Sequence, residues 1–506
     1  MTRQPAEAAP TSRTSLWRDR REQVLPTAEA IVGHWDVVVV GAGITGLTTA
    51  LLLARAGKSV LVVEAREIGA GTTGGSTAKV SVLQGTQLSR LRRLQSDRAV
   101  RPYVDANLEA LGWIDRYCDQ HEVALQKRAA YTFAVTERGE TAARAELAAA
   151  QEAGLPVAWT ATPELPFETR GAVRLEDQSQ IDPMELLAAM AADFRSHGGT
   201  LVEGTRVRRV TGHSPVSVQT ASGAATAETV VVATNMPILD RGGFFARATA
   251  QRSYALAFAN AKPVISGMYL SAESPGRSLR ETPGPDGSLL LVGGNGHGTG
   301  RDSSPQARVD DLVDWTRRNF PGAELTHSWS AQDYVTSHGL PYVGALVPGR
   351  DDLLVAGGYA KWGMTNGVAA ALALSSRLLG GNAEWAKVLD SWSAAWLRGV
   401  PGMAKLNAEV GWELTRGWLR PLTHPGSGAP EEGRGEVRLD HLGLPTAVST
   451  VGGTVRRLSA VCSHLGGILR WNDAEHSWDC PLHGSRFDVE GAVLEGPATC
   501  GLNRLD

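Results

Sequence analysis

From Trp35 onward the distribution of apolar positions changes abruptly. Val37-Val38-Val39-Val40 is an unbroken apolar run, the mark of a strand covered on both faces in a parallel sheet. Glycines follow, then residues 47–56 with helical composition, then a second apolar run at 59–63. The pattern predicts a strand–helix–strand unit of about thirty residues.

Further along, helical periodicity is expected over 86–120 and 138–153, and strands over 130–136, 201–210, 228–233, 253–259 and 288–293. A short strand at 353–356 precedes an Ala/Leu-rich helix at 365–379, and a Trp-rich helical tail runs to about 397. Pro and Gly crowd 421–435, and beyond them the chain reads as short strands and Gly-rich turns without a helix. The divisions expected are an arm at 1–34, a discontinuous nucleotide and substrate unit at 35–400, a linker at 401–432 and a small β domain at 433–506. The fold class is therefore α/β plus all-β: a doubly wound, Rossmann-like core with a β-rich insertion, then a small β domain. At 506 residues, two or three domains are in any case expected.

Composition removes several functions. Fifty basic against 53 acidic side chains leave a net charge of −3, which disfavours nucleic acid or an anionic membrane as partner. No apolar stretch approaches the ~18–20 residues of a membrane span. Four cysteines, Cys118, Cys462, Cys480 and Cys500, make no disulfide framework and point to the cytoplasm. Arg20-Arg21 lacks the apolar segment of an export signal.

Gly41-Ala42-Gly43-Ile44-Thr45-Gly46 is GxGxxG between strand and helix, with Glu64 ending the next strand. Gly41 permits the turn, Gly43 lets backbone approach a pyrophosphate, and Gly46 lets helix meet sheet. Phosphates suit the helix N-terminus, and Glu64 suits ribose hydroxyls. An ordinary Gly-rich turn would leave Glu64 without a role. Glu64-Ala65-Arg66, the 69–76 stretch with Gly71, Thr72, Thr73 and Ser76, the 229–235 stretch with Ala233, and the 357–365 stretch follow. Together these resemble the D-amino-acid oxidase/sarcosine oxidase class of FAD-dependent oxidoreductases over about 400 residues. The resemblance implies FAD, attached covalently through Cys or His in some relatives; with no Cys between 119 and 461, non-covalent FAD is expected. The resemblance places the 69–76 loop along the pyrophosphate, Val207 at the adenine, and Gly358, Gly363, Met364 and Thr365 near the flavin pyrimidine. A helix N-terminus there would favour the anionic reduced ring. The other Gly-rich stretch, 293–300, lacks a strand–helix context, so no NAD(P)H site is expected and electrons should come from an organic substrate.

Cys462-Ser463-His464 and Cys480-Pro481-Leu482-His483 form CxH and CxxH pairs fifteen residues apart. They resemble the Rieske motif, in which two thiolates hold one iron of a [2Fe–2S] cluster and two imidazoles the other. A Cys2His2 zinc site is the alternative, but zinc fingers pair like with like. The resemblance puts His464 and His483 at an exposed edge, as an electron gateway. It differs at Gly467 and Leu482, where high-potential relatives carry a disulfide, and at Phe487, where a Tyr hydroxyl often bonds cluster sulfur. A low potential for the class follows. Cys118 is expected in a helix core, and Cys500 as a buried or free thiol.

The implied chemistry is oxidation of an amine or amino acid by hydride transfer to flavin, with electrons passed singly to the cluster and on to an external acceptor. The reverse flow, from a donor protein through the cluster to a flavin-bound substrate, and a non-catalytic carrier or redox sensor remain open. Lys361 is a pocket residue or a surface charge, Lys79 is a further pocket candidate, and Arg252 with Tyr254 either anchor a substrate carboxylate or form the polar side of a strand. His327 and His338 are read as structural.

Overall fold

The computed structural model describes residues 12–21, 30–423 and 428–505. Its nucleotide layer is an eight-stranded sheet. Strand β1 (His34–Val40) lies between β2 (Val60–Val63) and β3 (Ala224–Val232), parallel to both, and Leu353–Gly357 adds in parallel beyond β3. Val38, Val39, Val60 and Val62 have no exposed surface, as continuous apolar strands in a two-sided layer require. Helix α1 (Ile44–Arg55) starts directly after β1 and packs on α2 (Gly363–Leu378), which follows Leu353–Gly357. Both helices thus begin at the carboxyl ends of the parallel strands, where open α/β sheets bind ligands.

The insertion is a nine-stranded sheet. Its outer three strands are β4 (Ala248–Ala259), β5 (Gly287–Gly298) and β6 (Glu324–Thr336), with β4 antiparallel to both neighbours. The two-residue strand Lys79–Val80 closes the other edge against Ala172–Ile181. The arm is partly ordered by this body: Trp17 is fully buried and its indole N–H donates to Ser76 O at 2.7 Å.

The stretch 401–432, expected as a linker, carries instead the 24-residue helix α3 (Val400–Thr423). Its inner face is small and apolar: Leu406 is buried and Gly417 sits against Ile468. Glu413 pairs with Arg470, so α3 braces the C-terminal domain rather than tethering it loosely. That domain comprises three strands within 435–459 and four within 470–495, around buried Trp478 and Phe487. Among the described residues no helix is long and apolar enough to cross a membrane.

Candidate active site and cluster site

Gly41 has φ +105°, and a Cβ on Gly46 would lie 1.9 Å from Gly41 O. Those two positions demand glycine, the first for its backbone and the second for close helix–strand contact. The α1 N-terminus carries no acidic residue in its first turn and no side-chain cap on Gly43, leaving N–H groups and the positive dipole end for an anion. Glu64 is held with each oxygen on one backbone N–H, Ala42 at 2.8 Å and Arg66 at 2.9 Å. Each oxygen retains a lone pair for a ribose hydroxyl.

These residues open on one cavity of about 480 Å³, between the two sheets. Of the sequence-expected cofactor residues, Gly41, Gly43, Ile44, Thr45, Glu64, Ala65, Arg66, Gly71, Thr72, Thr73, Ser76, Val207, Ala233, Gly363 and Met364 line it. Ala42, Gly46, Gly358 and Thr365 stand behind the wall, where they set packing; Thr365 Oγ1 accepts from Gln84. α2 begins at the cavity without a side-chain cap or an acid in its first turn. Among the described residues neither Cys nor His lines the wall. This chemistry fits a dinucleotide with an aromatic ring system: an acid for ribose, helix ends for anions, and an enclosed apolar and polar remainder.

Lys361 lines the cavity as expected, on a strained turn: Ala360 and Lys361 have φ 52° and 76°. Non-glycine residues in this region cost on the order of 1–3 kcal/mol each and gather at functional sites. Buried Asp333 holds the turn, its Oδ2 accepting from Lys361 N at 2.6 Å and its Oδ1 from Tyr334 N at 2.7 Å. Burial pushes the Asp333 carboxyl up to about 6, against those bonds. Lys79 also lines the cavity, and burial, helped by Arg280, pushes its ammonium down to about 7.

Arg252 has a different role from the one expected. It is 1% exposed and points away from the cavity, bonding Glu475 at 3.1 Å and Glu495 at 3.2 Å across the domain boundary. This strand gives Gln251, Ser253, Tyr254 and Ala255 to the cavity wall, and the bulge between Arg252 and Tyr254 leaves Arg252 with the carboxylates of the small domain. Tyr254 contributes to the wall, but its hydroxyl is engaged by His297 at 3.1 Å, so it is not a free carboxylate anchor. Arg486 completes the acid cluster, reaching Glu475, Asp479 and Glu495. Burial works to raise Asp479, and Arg486 and Arg252 override it, holding the carboxyl below its ordinary range.

In the small domain Cys462 and Cys480 are buried together. The hydrogen bond between the two thiols sets them apart, lowering Cys462 against its burial and raising Cys480. His483 Nδ1 is buried without a hydrogen-bond partner, and the His464 and His483 rings are 5.1 Å apart. Burial pushes His483 down to about 4, which keeps it in the neutral form that ligates metal. An orphaned imidazole nitrogen beside two close thiols fits a cluster held by two Cys and two His. Among the described residues no three such side chains converge on a single ion, and a di-iron centre asks for only two protein ligands per iron. A Cβ on Gly467 would strike Leu482 at 2.6 Å, so the two positions where relatives place a disulfide are in contact but carry none.

The imidazole edge is covered, contrary to expectation. His464 Nε2 bonds Asp240 at 2.7 Å with its side chain 6% exposed, and Phe245 packs edge-on against both rings. The 480–485 loop docks on β6: Gln332 Nε2 donates to Gly484 O at 2.8 Å, and the Tyr334 hydroxyl donates to His483 O at 3.3 Å. Tyr334, Gln332, Glu495 and Gly496 also line the cavity, so the two sites share a wall.

Residues 36–377 match the FAD dependent oxidoreductase family (DAO), and 430–505 match the Rieske [2Fe-2S] domain. The chain is 30% identical over 479 residues, 93% of each chain, to the Rieske 2Fe-2S iron-sulfur protein YhfW of Bacillus subtilis (strain 168). The small domain alone is 44% identical over 63 residues to the chloroplastic cytochrome b6-f complex iron-sulfur subunit of Volvox carteri, 12% of this chain and 31% of that one. Among solved structures, glycine oxidase from Geobacillus kaustophilus superposes with TM-score 0.59 at 20% identity, covering 69% of this chain and 96% of that one. L-proline dehydrogenase from P. horikoshii gives 0.61 at 18%, covering 72% and 98%. At these identities the structural likeness establishes the fold.

Proposed function

The chain belongs to the FAD-dependent oxidoreductases of amino-acid oxidase type and ends in a Rieske domain, and from that premise we propose a dehydrogenase that sends its electrons through its own cluster. It acts on C–N bonds, with FAD and a [2Fe–2S] cluster as cofactors. In the proposed reaction an amine or amino acid loses a hydride and a proton to become an imine, which water hydrolyses. The cluster, when bound, would take the two electrons one at a time and hand them to an external one-electron acceptor protein. The flavin supplies the two-electron acceptor and the cluster the one-electron step.

The chain's residues serve this as follows. Gly41, Gly43 and the α1 N-terminus take the pyrophosphate, and Glu64 the ribose. The start of α2 at Gly363 sets positive potential where the reduced ring bears negative charge. Asp333 fixes the turn that carries Lys361 into the cavity. Cys462, Cys480, His464 and His483 hold the cluster. Among the described residues the absence of Cys and His from the cavity wall favours non-covalent FAD.

The observation that carries the coupling is Tyr334, which lines the cavity while its hydroxyl bonds the backbone of ligand His483. The test is anaerobic mixing of holoprotein with a panel of amines and amino acids. Bleaching of flavin absorbance by at least one of them is expected. A flavin reduced only by an added reductase or ferredoxin would favour the reverse flow.

A further inference from the structure

The glycine-rich run at 293–296 floors the substrate-sheet side of the cavity. Gly293 and Gly296 share a face because β5 is bulged: between the pairs Arg252–His297 and Tyr254–Gly294, two residues, Asn295 and Gly296, oppose Ser253 alone. A Cβ on Gly296 would meet Lys361 Nζ at 2.7 Å and Ser253 Oγ at 2.8 Å. One on Gly293 would meet Ser278 Cβ at 3.4 Å. Ser278 Oγ in turn accepts from Lys79 Nζ. One lysine therefore stands at each end of a bare floor three strand residues long, roughly 10 Å.

Neither ammonium is paired with a carboxylate. Arg280 is the charge acting on Lys79, and it repels. Asp333 is the charge acting on Lys361, but its oxygens accept the N–H groups of Lys361 and Tyr334. Ser253 Oγ, at the Lys361 end, is buried and unpartnered. Lys361 has the Asp333 charge nearby and Lys79 has none, and burial favours the neutral form of each, so a bound carboxylate would stabilise the charged forms. A four- or five-carbon diacid spans about 4–5 Å between carboxyl carbons at about 1.5 Å per bond. A charge-assisted bond adds about 2.8 Å at each end. With a C–O bond of about 1.2 Å at each end the total is about 11–13 Å, so a diacid spans the floor and reaches an ammonium just beyond either end.

We propose that the cavity selects an amino acid bearing two carboxylates, one held by Lys79 and the other by Lys361, with the reacting C–H and nitrogen over Gly293 and Gly296. This rests on the C–N oxidation proposed above and names its substrate class.

The test titrates FAD-loaded protein with glutarate and with butyrate, reading the perturbation of flavin absorbance. Glutarate is expected to bind more than about tenfold tighter, the worth of one extra charge-assisted bond. Lys79→Gln and Lys361→Gln should each bring that ratio near one, while Lys79→Arg and Lys361→Arg, which keep the charge, preserve it. Equal affinity for the two probes in the parent, or a preference that survives both Gln substitutions, overturns the proposal. The parallel readout is anaerobic bleaching by glutamate against leucine. Glutarate selectivity with no amine bleaching the flavin would sink C–N oxidation and leave the diacid site standing. Equal bleaching by both, with equal probe binding, would sink the diacid site alone.

Discussion

Replacing Arg252 with methionine should loosen the two domains. The guanidinium is 1% exposed and makes three bonds, at 3.1, 3.3 and 3.2 Å, to Glu475 and Glu495 of the small domain. Removing one partner of a buried ion pair costs about 3–5 kcal/mol. Arg486 still reaches both glutamates, at 2.9 and 3.3 Å, which places the loss at the lower end, about 3 kcal/mol. At 1.4 kcal/mol per decade this is about a hundredfold shift from docked to undocked. Stopped-flow absorbance on dithionite-pulsed holoprotein should show flavin-to-cluster transfer slowed by a comparable factor. A cycle with Glu495→Gln should give a coupling above about 1 kcal/mol. An unchanged transfer rate, with unfolding free energy within about 0.5 kcal/mol of the parent, would refute the docking role.

Cys480→Ser should yield protein that keeps its flavin spectrum and FAD stoichiometry but has lost iron and inorganic sulfide; unchanged iron content would remove Cys480 as a ligand. Asp240→Asn deletes the charge on His464 Nε2, which stabilises the oxidised cluster, and should raise its midpoint by on the order of 50 mV, read by redox titration; a fall would reverse the sign of the argument. Gly46→Ala forces a methyl into Gly41 O and should abolish FAD retention on purification. Anion binding needs protonated Lys79, whose ligand-free value is about 7 with Arg280 and Ser278 facing it. Glutarate affinity should therefore be flat below about pH 7 and fall by up to tenfold per unit above it. Affinity that rises with pH would contradict the assignment.

What could be read in the sequence was local. GxGxxG, Glu64 and the CxH/CxxH pairs each place their chemistry within a few residues of one turn, so spacing alone reports it. The β6 strand gave no such signal. Its Gln332, Asp333 and Tyr334 are polar yet buried, because the neighbouring domain and a cavity turn satisfy them, and a polar segment reads as loop until that partner is known. The outward face of α3, with Trp412, Leu419 and Leu422 exposed, obscures the amphipathic period, so the sequence there reads as linker. The direction of Arg252 turned on strand register, and a shift of one residue separates a substrate anchor from a domain clamp. The covering of His464 by Asp240 and Phe245 joins residues more than 200 positions apart, which no motif encodes.

The decisive measurement is freeze-quench electron paramagnetic resonance on holoprotein reduced anaerobically by an amino-acid substrate. Cluster reduction should follow flavin bleaching within the enzyme's own turnover time and without any added mediator. A flavin fully bleached by substrate beside a cluster that stays oxidised until a mediator is supplied would contradict transfer across the Tyr334–His483 wall.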